Sequence, residues 1–128
     1  MILVSVLLLA LAFAQKVNIF VVCASPDIHQ GDLVITGNDV YVIENRRFDI
    51  NGSIIVEENA TLMLKNAIIN FTQTENYEYN MTFRNPANGN PRLLAENTTL
   101  TSVYDFRVDF YGNSSGTVDK LEVWPLIG

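Results

Sequence analysis

Three segments of this chain share one form: a short apolar run, a charged residue, then asparagine. Val40-Tyr-Val-Ile-Glu-Asn45 is followed 21 residues later by Thr61-Leu-Met-Leu-Lys-Asn66, and a further 31 residues on by Arg92-Leu-Leu-Ala-Glu-Asn97. A looser echo relates Val56-Glu-Glu-Asn59-Ala-Thr-Leu62 to Phe110-Tyr-Gly-Asn113-Ser-Ser-Gly-Thr-Val118. A strand, an Asn turn and a strand recurring near every 20 residues, with longer insertions at one turn, is what a coil of a solenoid requires. Each coil supplies a few inward aliphatic side chains and stacks on the next in parallel register. Asparagine suits the turn, because it tolerates left-handed φ and its amide can pair with the Asn of the neighbouring coil.

The rest of the sequence agrees with an all-β reading. Short runs rich in Val, Ile, Thr and aromatics, such as Ser53 to Val56, Ala67 to Phe71, Tyr79 to Phe83, Val103 to Phe110 and Lys120 to Val123, are separated by Asn- and Gly-rich punctuation. No window holds apolar residues at helical spacing over three turns. A small β-sandwich is the rival fold, but it needs hairpins, and only Asn51-Gly52 reads as a tight hairpin turn.

Ile54 to Asn70 resembles the repeats of right-handed parallel β-helices in secreted prokaryotic, particularly archaeal-type, surface proteins, and Asp32 to Asn45 resembles the opening coil of such a domain. The likeness spans about residues 31–102 and fades beyond them. It rests on cadence and carries no catalytic motif. It implies a short right-handed parallel β-helix of about four coils following an N-terminal hydrophobic signal or anchor helix. Four coils lie near the lower limit for a stable solenoid, and open ends expose pairing edges. Asp27 to Asp32 is a natural N-terminal cap. At the other end either Trp124 plugs the last coil or the chain is the front part of a longer one.

Residues 1–24 read as a signal peptide or N-terminal anchor, with Val22-Cys-Ala24 or Ala12-Phe-Ala14 as the cleavage site, although no basic segment precedes the apolar run. The domain proper is then 25–128. Without the leader it loses Cys23, the sole cysteine, and Lys16, leaving 14 acidic residues against 7 basic ones and a net charge of −7. No disulfide can form inside it, so the coil must be held by other means. The acidic balance excludes a nucleic-acid partner, since there is no basic stripe for phosphates. Contact with a membrane is expected only through the N-terminal segment, if it is retained.

Six Asn-x-Ser/Thr triplets follow, at Asn51, Asn59, Asn70, Asn80, Asn97 and Asn113. Random placement of 14 Asn and 15 Ser plus Thr in 128 residues would give about 1.6. All six are formal N-glycosylation acceptors. The turn-and-strand cadence alone accounts directly for those at Asn59 and Asn97, and less well for those at Asn70, Asn80 and Asn113.

Catalytic chemistry has little to work with. His29, the sole histidine, cannot form a triad or a His-rich metal site and reads as a solvated linker residue; no metal or other cofactor is implied. A carbohydrate-active β-helix, binder or lyase, would need clustered acids and a basic residue near 96–111. Asp105, Asp109 and Glu96 with Arg107 or Arg92 are the available set. Asp105, Arg107 and Asp109 alternate as on one strand face, which is also the ordinary pattern of a solvated strand. Tyr77 and Tyr79 offer flat faces for a sugar ring or cover for the core. The expectation is a non-catalytic, secreted or cell-surface, glycosylated β-helix with a structural or adhesive role, its partners envelope polysaccharide or other surface proteins.

Overall fold

The computed structural model describes residues 27–85 and 88–125. The N-terminal segment 1–24 with its cleavage sites, and the side chain of Trp124, lie outside the described residues. Eleven strands follow one another without a helix among the described residues: β1 Asp27–Gln30, β2 Leu33–Ile35, β3 Val40–Glu44, β4 Arg47–Asn51, β5 Ile54–Glu57, β6 Thr61–Lys65, β7 Ile68–Phe71, β8 Met81–Arg84, β9 Arg92–Ser102, β10 Val108–Phe110 and β11 Ser115–Pro125.

Every strand pair is parallel, and the pairs assemble into three faces of a solenoid of about four coils. Face 1 stacks β1, β4, β7 and the second halves of β9 and β11. Face 2 stacks β2, β5, β8 and β10. Face 3 stacks β3, β6 and the first halves of β9 and β11. Strands β9 and β11 each turn a corner, at Asn97 and Lys120, and so serve two faces. The all-parallel ladder rules out the sandwich. Asn51-Gly52 makes no hairpin, since β4 and β5 lie in different sheets.

The registers carry the repeat read from the sequence. Val40 sits beside Thr61 and Thr61 beside Arg92, while Val56 is linked through Phe83 to Phe110. The extra residues of the third coil fall at two corners, between β7 and β8 and between β8 and β9, so the strands themselves keep their alignment. Alternation along each strand turns Ile43, Leu62, Leu64, Leu93, Ile50, Ile69 and Leu100 inward, where they are almost wholly buried. Burying one such side chain contributes about 1.5–3 kcal/mol, which is how a chain without a disulfide in the coil holds its shape. Phe71 and Phe83 fill the third coil, with Phe106 at 5.0 Å and Phe110 at 4.7 Å from their rings in the fourth.

The corners are tied by side chains. At the third corner Asn45, Asn66 and Asn97 have left-handed φ of 55°, 48° and 45°. Asn66 Nδ2 donates to Asn45 Oδ1 at 3.1 Å, and Asn97 Nδ2 to Asn66 Oδ1 at 3.0 Å. Lys120 takes the next position, also left-handed at φ 59°. The first corner is a relay in which each side chain accepts the next coil's backbone N–H: Ser53 N to Asp32 Oδ1, Asn80 N to Ser53 Oγ and Arg107 N to Asn80 Oδ1. At the second corner the Glu58 carboxylate accepts from Gly37 N, and Asn59 Oδ1 from Asn90 N.

Residues Asp27–Gln30, expected as a cap, form a full strand in register with Phe48 to Asn51. His29 is no linker residue: it occupies the position aligned with Ile50 and stacks on Phe48 at 6.1 Å.

Candidate functional site

The surface that most resembles a site stands at the first corner, where the nine residues between β7 and β8 meet the loop between β9 and β10. The anchor is Gln73, a buried polar side chain. Its Nε2 donates to the carbonyls of Tyr104 and Asp105, each at 2.8 Å, while its Oε1 accepts from Tyr79 N. Asn76 Oδ1 accepts from Asp105 N, and Tyr77 N donates to Asp105 O at 2.6 Å. These bonds draw the backbone of 103–107 off the sheet. A strand over Val103 to Phe110 is therefore not formed: β9 ends at Ser102 and only Val108–Phe110 pairs.

Held between these bonds, Tyr77 has φ 62°, a left-handed conformation that costs a bulky side chain of order 1–2 kcal/mol, and its ring is half exposed. The Arg107 guanidinium lies over that ring at 5.6 Å, and Arg107 Nε is 3.8 Å from Asp109 Oδ2. Tyr77, Arg107 and Asp109 thus come together. Asp105 joins them through its main chain, being the carbonyl and N–H to which the loop is tied. Tyr79 does not present a face: it packs on the core and its hydroxyl donates to Asn51 Oδ1 at 2.9 Å. Burial, and then the neighbouring Glu78 carboxylate, hold the Tyr79 hydroxyl above its usual pKa. Glu78 is held below the usual carboxylate value chiefly by the Thr74 N–H, with the Thr74 hydroxyl adding a second bond to the same oxygen.

The acids considered for lyase or glycosidase chemistry are spread apart. Asp109 projects from face 2, Asp105 stands in the corner loop, and Glu96 lies on face 3 with Lys65 and Asp119 around a shallow depression of about 300 Å³ floored by Met63 and Leu94. Among the described residues no three His, Cys, Asp or Glu side chains gather as a metal site.

The six sequons sort by what their atoms already do. Asn70 is buried, with its amide on Asp49 Oδ1 at 3.3 Å, and the Thr72 hydroxyl donates to Ile50 O. Asn51 Nδ2 is held by Gln30 Oε1 at 3.0 Å, and the Ser53 hydroxyl belongs to the first-corner relay. Asn80 and Asn97 are relay and ladder members. Asn59 is exposed and uses only its carbonyl oxygen, for Asn90 N. Asn113 is exposed at the equivalent corner of the fourth coil. The cadence therefore accounts for Asn70 and Asn80 better than the sequence suggested.

No protein-family model, curated protein or solved structure matches the chain.

Proposed function

We propose that the chain is a secreted or cell-surface, N-glycosylated, right-handed β-helix whose role is structural or adhesive, with residues 1–24 as its leader or anchor. The observation that carries this reading is the state of two sequon asparagines. Asn59 and Asn113 stand exposed at the same corner of different coils, and the Asn59 side chain engages only its carbonyl oxygen, for Asn90 N. An acceptor site needs a reachable Asn amide followed by Ser or Thr two residues on, and both positions supply it. Right-handedness follows from the general rule for parallel crossover connections. Intact-mass and peptide analysis of native material tests the reading: the expected protein begins after residue 24 or is membrane-bound, and carries glycan at Asn59 or Asn113. An unmodified soluble chain beginning at Met1 overturns it.

A second reading, polysaccharide binding, has its own observation in Tyr77, strained and half exposed under Arg107. Strain of this kind gathers where a surface is shaped for a ligand. The platform suits an acidic sugar, with the ring on Tyr77 and the carboxylate on Arg107. Titration with acidic oligosaccharides is expected to give binding that Tyr77→Ala and Arg107→Ala each remove. Binding indifferent to both changes excludes the platform, and cleavage of the oligosaccharide would replace the non-catalytic reading.

A further inference from the structure

On face 3 the side chains that point away from the core stand in columns along the solenoid. The middle column is apolar over three coils, Val42, Met63 and Leu94, and continues to Thr117. Face 1 has Asp49, Asn70 and Thr101 at the corresponding place, and face 2 turns polar at Thr82 and Asp109. The outer side of a solvated sheet is ordinarily polar. Here Val42 is 40% exposed and Val40 beside it 57%. One flank of the apolar column runs Val40, Thr61, Arg92 and Ser115, with the Thr61 hydroxyl buried and unpaired. The other flank runs Glu44, Lys65, Glu96 and Asp119. Among the described residues Arg92 and Glu96 make no ion pair within the chain.

We infer that face 3 is a self-association surface, on which a second copy packs its own face 3 about a two-fold axis parallel to the solenoid. Packed sheets keep their strands nearly aligned, so the axis lies either along the solenoid or along the strands. With the axis along the solenoid and over the middle column, each coil meets the same coil of the second copy. Val42, Met63 and Leu94 then meet their own counterparts. Arg92 stands opposite the second copy's Glu96, and by symmetry does so twice, while Glu44, Lys65 and Asp119 stand opposite its Val40, Thr61 and Ser115. No like charges face each other. An axis along the strands, midway between the second and third coils, would pair Lys65 with Glu96 but set Glu44 against Asp119 twice. Charge therefore selects the first axis.

The same arrangement fills the depression of face 3. Its floor is Met63 and Leu94 and its wall is Lys65, Glu96 and Asp119, which places it opposite the second copy's Arg92. An arginine lays its aliphatic stem on an apolar floor and carries its guanidinium to a carboxylate at the rim. Five residues on each of four strands span about 17 by 19 Å, roughly 320 Å² per copy. That is less than half of the about 800 Å² per partner of a standard interface, so the dimer is weak and reversible. Asn59 and Asn113 stand at the bordering corner, outside the columns that meet.

Sedimentation equilibrium of the full purified chain, from micromolar to millimolar concentration, tests the proposal. A reversible monomer–dimer equilibrium is expected. Arg92→Glu and Glu96→Arg each set like charges opposite one another twice and are expected to weaken the dimer at least about tenfold. The double exchange is expected to restore it to within about threefold, a recovery that loss of folding cannot imitate. Leu94→Asp removes the dimer, while circular dichroism shows the variant monomer intact. Lys65→Gln is expected to leave association within about threefold, because Lys65 faces no acid across the chosen axis. A monomer at every concentration, single charge variants that associate normally, or a Lys65→Gln loss equal to that of Arg92→Glu would each overturn the proposal. So would face 3 amide signals that ignore concentration and shift only when a basic amphipathic peptide is added, which would give the face to a different partner.

Discussion

Asn97 donates its amide to Asn66 Oδ1 at 3.0 Å while both residues hold left-handed backbone. The pair does two jobs at one corner, turning the chain and tying the third coil to the second. Asn66→Ala removes both of its ladder bonds and leaves a Cβ residue without local compensation at φ 48°. The expected loss is about 3–4 kcal/mol, from roughly 1 kcal/mol for each bond and 1–2 for the backbone. Asn66→Gly keeps the turn and is expected to cost less. Lys120→Asn adds a rung and is expected to stabilise the monomer by about 1 kcal/mol. Denaturant melts of dilute protein order the three variants, and an Ala variant as stable as the parent would deny the ladder its role.

Glycine at two corners marks contact between coils. A Cβ on Gly52 would stand 2.2 Å from Gly31 O, and one on Gly89 would stand 2.4 Å from the Glu58 carbonyl. Both neighbours are backbone and cannot yield without moving a coil. Gly52→Ala and Gly89→Ala are expected to cost at least about 3 kcal/mol each. Gly116→Ala meets only the Phe110 ring at 3.2 Å and is expected to cost under about 1 kcal/mol. Equal melts for Gly89→Ala and Gly116→Ala would contradict this ordering.

The coil was legible wherever its signal was local. Val40 to Asn45 and Thr61 to Asn66 announce both a strand and its turn, and they stack residue on residue. The corner platform was half legible. Tyr77, Arg107 and Asp109 could be named as surface residues, but their meeting depends on Gln73 reaching the carbonyls of residues 31 and 32 positions away. No periodicity reports a bond of that kind, so the strand expected over Val103 to Phe110 is a loop for half its length. Lys120 was hidden for a different reason. Nothing in lysine's own preferences marks it for left-handed backbone, and only the neighbouring coils place it there.

Occupancy of the sequons follows from which atoms are free. Glycan transfer needs the Asn amide nitrogen and an accessible side chain. Asn59 and Asn113 supply both, whereas Asn70 is buried and Asn51 is held at both ends of its amide. Site-resolved mass spectrometry of material from a glycosylating host is expected to find glycan at Asn59 and Asn113 and none at Asn70. Thr61→Val is expected to abolish the Asn59 glycan and raise the stability of the unglycosylated coil by about 1 kcal/mol. A glycan at Asn70 on folded protein would mean that modification precedes coil closure.

The loop between β7 and β8 carries its own pH limits. The Thr74 N–H holds Glu78 below 4.5, so the folded loop binds that proton less readily than the unfolded chain does. Its contribution is therefore present above the ordinary carboxylate range and is lost as pH falls through the depressed value. Tyr79 has the opposite sign. Its hydroxyl is raised above 10 chiefly by burial, so its contribution is present below 10 and is lost as pH rises through the raised value. Amide exchange at Thr74 and Tyr77 is expected to stay slow between these limits and to quicken outside them. Glu78→Gln should remove the acid limb and leave the alkaline one. A Glu78 carboxyl that titrates above 4.5 by NMR, or a Thr74 amide that exchanges freely at neutral pH, would show that the carboxylate does not hold the loop.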